Sequence, residues 1–249
     1  MKLSIITVVY NNERTITDAI QSVLGQTYKN IEYIVIDGNS TDGTLDRITP
    51  YRGDIHHFVS EKDNGIYDAM NKGLSIATGE VIGILNSDDV YADDQVLESV
   101  MQLFQQDPTL DMVYGDLVYV RADDLSEVVR TWQSASYYDQ YFEDGHVPPH
   151  PSLFLKRSVY QQAGLFNTEM KLAADYELML RVFKKYHFKS TYLSHLLVKM
   201  RLGGSTNKNW NNIIKGNLEI LKAWKLNGLS APLLLMPSRM FKRLAQFKK

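Results

Sequence analysis

The chain has 249 residues, 44% hydrophobic and 22% charged, an ordinary globular balance with room for one large domain and an appendage. It contains no cysteine, which excludes disulfides and thiolate metal centres. The formal net charge of −2 hides an asymmetry: from Lys199 to Lys249 eleven Lys/Arg stand against one acid, Glu219, so the preceding part is strongly acidic.

Leu3 to Tyr10 is rich in β-branched residues and predicts a buried strand. Asn11-Asn12 ends the run with no small-residue cleavage site after it, so no secretory leader is expected. No stretch approaches the roughly 18 to 20 apolar residues of a membrane span, and the expected location is the cytoplasm. Ile16, Ala19, Ile20, Val23 and Leu24 fall at helical spacing. Ile31 to Ile36 predicts a second strand, ending in Asp37 and a loop dense in turn formers through Thr44. His57 to Ser60 predicts a short strand, Ile66 to Ala77 a helix, and Val81 to Leu85 another strand ending in Asn86-Ser87-Asp88-Asp89.

Strand and helix thus alternate over the first ninety residues, the pattern of a mostly parallel sheet flanked by helices with right-handed crossovers. The acidic loops at Asp37 and Asp88 then share the carboxyl edge of the sheet, where ligands of open α/β sheets bind. A nucleotide held there could meet Asp37 through its base or ribose and Asp88 through a phosphate-bound metal. The acids at 88 and 89 leave two readings open: hard ligands for Mg²⁺ or Mn²⁺, or a polar turn capping the next helix. Neither a G-x-G-x-x-G after the first strand nor a G-x-x-x-x-G-K-[ST] occurs, which argues against dinucleotide binding and P-loop hydrolysis.

Further on, Val96, Val100, Leu103 and Phe104 predict a helix, and Asp111 to Val120 with Glu127 to Trp132 predict a hairpin. Gly145 to Ser152 has three prolines in four positions and predicts a stiff loop holding His150. Leu153 to Leu155 resumes regular structure. A helix opens at Ala173 or Ala174, with Tyr176, Met179, Leu180 and Phe183 as its apolar stripe and Asp175 off that stripe in the first turn. In the tail, Asn211 to Leu226 predicts an amphipathic helix. A further helix after Pro237 puts Met240, Phe241, Leu244 and Phe247 near one face and Arg239, Lys242, Arg243, Lys248 and Lys249 around the rest. That pattern suits attachment to an anionic membrane surface; the alternative is a docked helix with a solvated basic face. Charge alone would allow nucleic-acid binding, but nothing else supports it, and no nucleic-acid partner is expected.

An ordered set of motifs resembles the inverting family 2 glycosyltransferases of the Rossmann-like GT-A fold, especially bacterial enzymes of O-antigen, capsule and exopolysaccharide synthesis. The set runs Ser4 to Asn11, Ile36 to Thr44, Asp63 to Gly73, Ala77 to Glu80, Leu85 to Asp89, Gly164 to Phe166 and Ala174 to Leu178. The resemblance covers roughly Lys2 to Ser205. It implies a GT-A domain over 1–205, with a nucleotide-binding half to about 120 and an acceptor half after it, and a basic helical tail over 206–249. It further implies transfer of a sugar from a nucleotide diphosphate sugar, by preference a UDP-sugar, to a hydroxyl of a glycan or polyprenyl-diphosphate-linked acceptor. Residues carried over for the donor are Thr7, Val9, Asn11, Asp37, Asn39, Asn71, Lys72, Asn86, Ser87 and Asp88. Asp88, with Asp89, is carried over for a divalent cation, Mn²⁺ or Mg²⁺, and Asp175 as general base. His150, Tyr176 and Arg201 are candidates for acceptor or phosphate, and Trp132, Tyr137, Tyr138 and Tyr141 for either sugar stacking or plain packing.

The chain departs from the family pattern twice: Asn86 replaces the first acid of the metal motif, and Ala174 replaces the glutamate before the catalytic aspartate. These departures support, as an alternative, a non-catalytic sugar-nucleotide-binding subunit of a polysaccharide assembly. A nucleotidyltransferase is disfavoured because Tyr10-Asn-Asn-Glu13 stands where its glycine-rich, lysine-bearing loop would be.

Overall fold

The computed structural model describes residues 1–203 and 210–247. The N-terminal half alternates as expected: β1 (Leu3–Val9), α1 (Ile16–Leu24), β2 (Ile31–Asp37), α2 (Thr44–Ile48), β3 (His57–Ser60), α3 (Ile66–Ile76) and β4 (Val81–Ile84). These four strands are mutually parallel in the order β3-β2-β1-β4, with Val9 opposite Asp37 and Ile6 opposite Ile84. Then follow β5 (Asp89–Tyr91), α4 (Val96–Gln106), β6 (Met112–Val120), β7 (Val128–Trp132), β8 (Leu153–Lys156), α5 (Arg157–Ala163), α6 (Ala174–Leu180) and β9 (Ser190–Arg201). The sheet continues β4-β8-β6-β9-β5: β8 is antiparallel to both neighbours, β9 parallel to β6, and β5 antiparallel to β9. The expected hairpin is present as β6 and β7, and Tyr119 stacks on Trp132 across it.

The period of two along β1 divides the core between the faces of the sheet. Leu3, Ile5 and Val9 join α1 and α4 on one face; Ile6 and Val8 join α3, α5 and α6 on the other. β9 carries no clean alternation, since most of its residues are only half buried, and it has no signature in the sequence. Its place comes from pairing along β6.

Ala77-Thr78-Gly79-Glu80 lies at the end of the sheet opposite the acidic loops, and its work is structural. Thr78 donates its N–H and hydroxyl to Glu32, Gly79 N–H donates to Ser4 Oγ, and Glu80 N–H to the Lys2 carbonyl. A Cβ on Gly79 would lie 2.5 Å from the Ser4 nitrogen, so only glycine fits. Burial opposes ionisation of Glu32, yet the hydrogen bonds from Lys2, Ser4 and Thr78 prevail and hold its carboxyl far below the usual range.

The expected tail is seated on the domain through part of its length. In α7 (Trp210–Leu226), Ile220, Ala223 and Trp224 are buried, and Trp224 Nε1 donates to the Tyr176 hydroxyl at 2.9 Å. In α8 (Leu235–Ala245), Leu235 is buried and the Arg239 guanidinium lies 4.7 Å from the Tyr176 ring centre. Met240, Phe241, Leu244 and Phe247 are each more than half exposed. Residues 204–209, where the expected domain boundary falls, lie outside the described residues, as do Lys248 and Lys249.

Candidate functional site

Strand direction gathers the site. Because β1, β2 and β4 are parallel, the loops after Val9, Asp37 and Ile84 share one edge. β8 runs against β4 with Gly83 opposite Phe154, so the turn His150–Ser152 before β8 arrives at that same edge. β9 ends there at Arg201, and β5 begins there at Asp89, opposite Met200. The loops are then fastened together. Asn11 N–H donates to Ser40 Oγ and Thr41 N–H to Asn11 Oδ1, both at 2.8 Å, while Asn12 Nδ2 donates to Ser87 Oγ at 2.9 Å.

The centre of the site is Asp175. Its Oδ2 lies 3.1 Å from His150 Nδ1, and its Oδ1 accepts the Tyr67 hydroxyl at 3.0 Å. Burial pushes the Asp175 carboxyl up, but the His150 contact outweighs it and leaves the pKa below its ordinary 3.8. Burial likewise pushes His150 down, and Asp175 outweighs it, leaving the imidazole above its ordinary 6.5. The signs define a window. Asp175 contributes stability above 3.8 that is lost as pH falls through its depressed pKa. His150 contributes stability below 6.5 that is lost as pH rises through its raised one. The pair is a carboxylate held below its ordinary pKa by an imidazole that is itself raised, with a phenol on its other oxygen. Below it a cavity of only about 20 Å³ is lined by Met70, Ile84, Phe166 and Met179.

The acidic loop divides its two carboxylates. Asp89 opens β5, has no exposed surface, and accepts Asn86 Nδ2 at 3.1 Å. Burial, then the charge of Asp88, pushes its pKa up to about 8. Asp88 is only half buried, and burial raises it against the opposing charges of Arg201 and His150. Arg201 is buried, pairs with Asp18, and donates to the Asp88 carbonyl at 2.9 Å, fixing the loop from below. Asn86 Oδ1 is a buried acceptor with no hydrogen-bond partner among the described residues. A reachable carboxylate, an unsatisfied amide oxygen and a buried acid short of counter-charge suit a hard cation. Among the described residues no group of three His, Cys, Asp or Glu could hold one alone, so substrate oxygens and water would supply most of the shell.

Several carried-over residues have partners within the protein. Thr7 is buried and accepts the Tyr33 hydroxyl; Val9 is buried and its carbonyl accepts the Gly38 N–H. Asp37 has no exposed surface and is satisfied by the N–H and hydroxyl of Ser40 and the hydroxyl of Ser60. Asn71 closes a two-way amide pair with the Phe166 backbone, and Lys72 pairs with Glu61 and the Lys62 carbonyl. Asn11 and Asn39 remain exposed at the edge, with φ of 48° and 65°. Ser87 is buried, joined to Asn12 and Thr15. Tyr176 is buried between Trp224 and Arg239. Trp132 Nε1 donates to the Val147 carbonyl, Tyr141 is buried against His146, and Tyr137 packs on Phe183; among the four aromatics, Tyr138 is the most exposed.

Two residues that serve the site have no role in the sequence reading. Tyr67 lies in the Asp63 to Gly73 motif but looks there like an ordinary apolar helix position. Glu219 accepts the backbone N–H groups of Lys171, Leu172 and Ala173 and so fixes the turn into α6 and Asp175. Its signal was its isolation, as the one acid in a run of bases. A depression of about 610 Å³ at the opposite end of the strands, lined by Met1, Glu80, Lys156 and Arg157, contains none of the acids of this edge. If the His150–Asp175 pair is as described, NMR titration of the His150 ring gives a value above 6.5 that drops in Asp175→Asn. Identical titrations would show that the pair does not form.

Comparisons agree with this architecture. The family described as Glycosyl transferase family 2 matches residues 4–162. A PGL/p-HBAD biosynthesis glycosyltransferase of Mycobacterium bovis is 28% identical over 209 residues, covering 82% of this chain and 78% of the relative. An uncharacterised glycosyltransferase of Rickettsia prowazekii is 30% identical over 215 residues, covering 83% and 66%. Among solved structures, S. aureus TarS 1–349 superposes with a TM-score of 0.69 at 17% identity, covering 98% of this chain and 72% of that one. Its complex with UDP gives 0.68 at 18%, covering 96% and 68%. The mannosyltransferase PcManGT of Pyrobaculum calidifontis, in complex with GDP-Man and Mn²⁺, gives 0.63 at 19%, covering 98% and 74%. With the α/β sheet and flanking helices of the GT-A fold and a family match over more than half its length, the chain belongs to glycosyltransferase family 2.

Proposed function

We propose that this glycosyltransferase moves a sugar, with inversion, from a UDP-sugar to a hydroxyl of a glycan or polyprenyl-diphosphate-linked saccharide in bacterial surface polysaccharide synthesis. The observation that carries the reading is Asp175: a largely buried carboxylate kept ionised by His150 and Tyr67, at the same sheet edge as Asp88. Neighbours in complex with UDP, UDP-GlcNAc and GDP-Man support a nucleotide diphosphate sugar as donor.

Asp175 takes the proton of the acceptor hydroxyl as its oxygen bonds to the anomeric carbon. The bond from that carbon to the diphosphate breaks with its electron pair on the leaving phosphate oxygen. His150 holds the carboxylate unprotonated before the step, and Tyr67 orients it. Asp88, with Asn86 and by our reading Asp89, would hold Mg²⁺ or Mn²⁺, which supplies charge neutralisation to the leaving diphosphate. Asn11 and Asn39 remain open to the donor at the loop tips. Asp37 is a fastening residue as it stands, and a base contact by it would require the Ser40 and Ser60 hydrogen bonds to rearrange.

We further assign 206–249 as a membrane-facing appendage to the 1–205 domain, on the cytoplasmic face. Among the described residues no helix is long and apolar enough to cross a membrane. Leu233, Leu234, Met240, Phe241, Leu244 and Phe247 nevertheless expose apolar surface beside Lys242 and Arg243. Such a surface suits an anionic bilayer interface, where a lipid-linked acceptor would be found.

In turnover measurements, Asp175→Asn is expected to fall by about 10²–10⁴-fold, the usual worth of a general base, with donor affinity unchanged. Equal turnover removes Asp175 from the mechanism, and donor binding without turnover by the native chain favours the binding-subunit alternative. Asp88→Ala is expected to abolish stimulation by Mn²⁺ or Mg²⁺; intact, metal-stimulated activity in that variant overturns the cation assignment. For the appendage, the full-length Phe241→Ser, Leu244→Ser variant should no longer sediment with phosphatidylglycerol vesicles, while the native chain binds these over phosphatidylcholine. Undiminished sedimentation of the variant refutes membrane attachment.

A further inference from the structure

The helix that carries Asp175 is poorly equipped to hold itself in place. α6 has seven residues, too few for a helix to be stable alone, and its N-cap is Ala173, which offers no side-chain acceptor. The first N–H groups of a helix have no acceptor within it. Here one carboxylate from another helix meets the chain where α6 begins. Glu219 Oε1 accepts the Lys171 N–H at 3.0 Å, and its Oε2 accepts those of Leu172 and Ala173 at 2.8 and 2.9 Å.

The same helix, α7, holds the far side of Asp175 as well. Trp224 Nε1 donates to the Tyr176 hydroxyl at 2.9 Å, and Asn227 Nδ2 to Glu177 Oε1 at 3.0 Å. The contacts of α7 therefore bracket the aspartate, at 171–173 before it and at 176–177 after it. They also extend toward its side-chain partners. Lys171 Nζ donates to the Asn64 carbonyl at 3.2 Å, just before α3, the helix of Tyr67. Burial, then the charges of Asp175 and Glu219, keep the Tyr67 phenol well above its usual range, so it stays a donor to Asp175. Two sets of groups thus share the work: His150 and Tyr67 take the carboxylate oxygens, and α7 holds the backbone that presents them.

We propose that α7 serves the reaction itself, with Glu219 as a positioning residue that sets where the Asp175 carboxylate stands relative to His150 and the acceptor hydroxyl. This rests on the glycosyltransferase reading only in taking Asp175 as the base. A helix cap that merely stabilises the fold would lower the melting temperature and leave the His150–Asp175 contact as it is. A positioning residue must change that contact.

The test uses the full chain with Glu219→Gln, which keeps the size of the side chain but turns one acceptor oxygen into a donor facing N–H groups. In NMR titrations with a chelator present, His150 is expected to titrate lower in this variant than in the native chain, moving toward its value in Asp175→Asn. Turnover of whichever UDP-sugar in a panel the native chain hydrolyses is expected to fall by about 10- to 100-fold, since a misplacement of about 1 Å can cost about 10²-fold. Affinity for UDP, measured by calorimetry, should stay the same. Glu169→Gln, which removes an exposed acid 3.9 Å from Lys222 of α7, should leave all three readouts unchanged. Melting curves show which variants are folded. Should Glu219→Gln not fold, Glu219→Asp, a carboxylate too short to reach all three N–H groups, carries the same criterion. A folded variant with the native His150 titration overturns the assignment, even if it melts lower. A shifted His150 with native turnover upholds the positioning and overturns the reading of Asp175 as base instead.

Discussion

Four aspartates gathered at one edge of a sheet, in surroundings that penalise charge, pose the physical problem around which this chain is organised. Each is handled differently. Asp37 is satisfied by the hydroxyl and amide of Ser40 and the hydroxyl of Ser60. Asp89 is displaced toward its protonated form, to about 8, by burial and by Asp88. Asp175 keeps its charge because an imidazole and a phenol hold it. Asp88 is half open and has no side-chain partner of its own, facing positive charge from Arg201 and His150 that does not fully offset its burial. The carboxylate left least satisfied is the one placed to meet a cation or a substrate.

The rest of the molecule supports that division. Parallel strands deliver Asp37 and Asp88 to one edge, and the reversed strand β8 brings His150 to meet them from the other side of β4. A stiff Pro-Pro segment leads into the His150 turn, and Ser152 ties it to the Gly115 carbonyl at 2.8 Å, so the imidazole is held rather than free to swing. Glu219, from a helix more than forty residues later, fixes the amides before α6 and so sets the position of Asp175. The tail thus packs on the domain through Trp224 and Leu235, while Met240, Phe241, Leu244 and Phe247 stay exposed.

Much of this was legible in the residue order. Hydrophobic periodicity located β1 to β4, α1, α3, α4 and α6 within a residue or two, because those elements bury a regular face and regular burial leaves a regular pattern. β9 was not legible: its residues are mostly half buried, and partner strands distant in sequence decide its place. Nor was β5, three residues that a reading by turn chemistry takes for the cap of a helix. At the site, Asp175, Asp88, His150 and Arg201 were identified and are brought together. Thr7, Val9, Asn71, Lys72 and Tyr176 were grouped with them, and the structure gives each a packing or fastening partner.

The amino-acid sequence by itself determined the alternation of strand and helix, the acidic character of two loops on one edge, and the ordered motifs of family 2. These depend on local spacing and on residue chemistry, which a linear string preserves. Only the tertiary structure decided how the acidic residues differ. Which carboxylate is paired, which is protonated and which is exposed depends on distances between residues 25 to 113 positions apart, such as Asp175 with His150 and with Tyr67, or Asp88 with Arg201. Burial and Coulomb interaction act through space, so equal aspartates in the string become unequal acids in the fold.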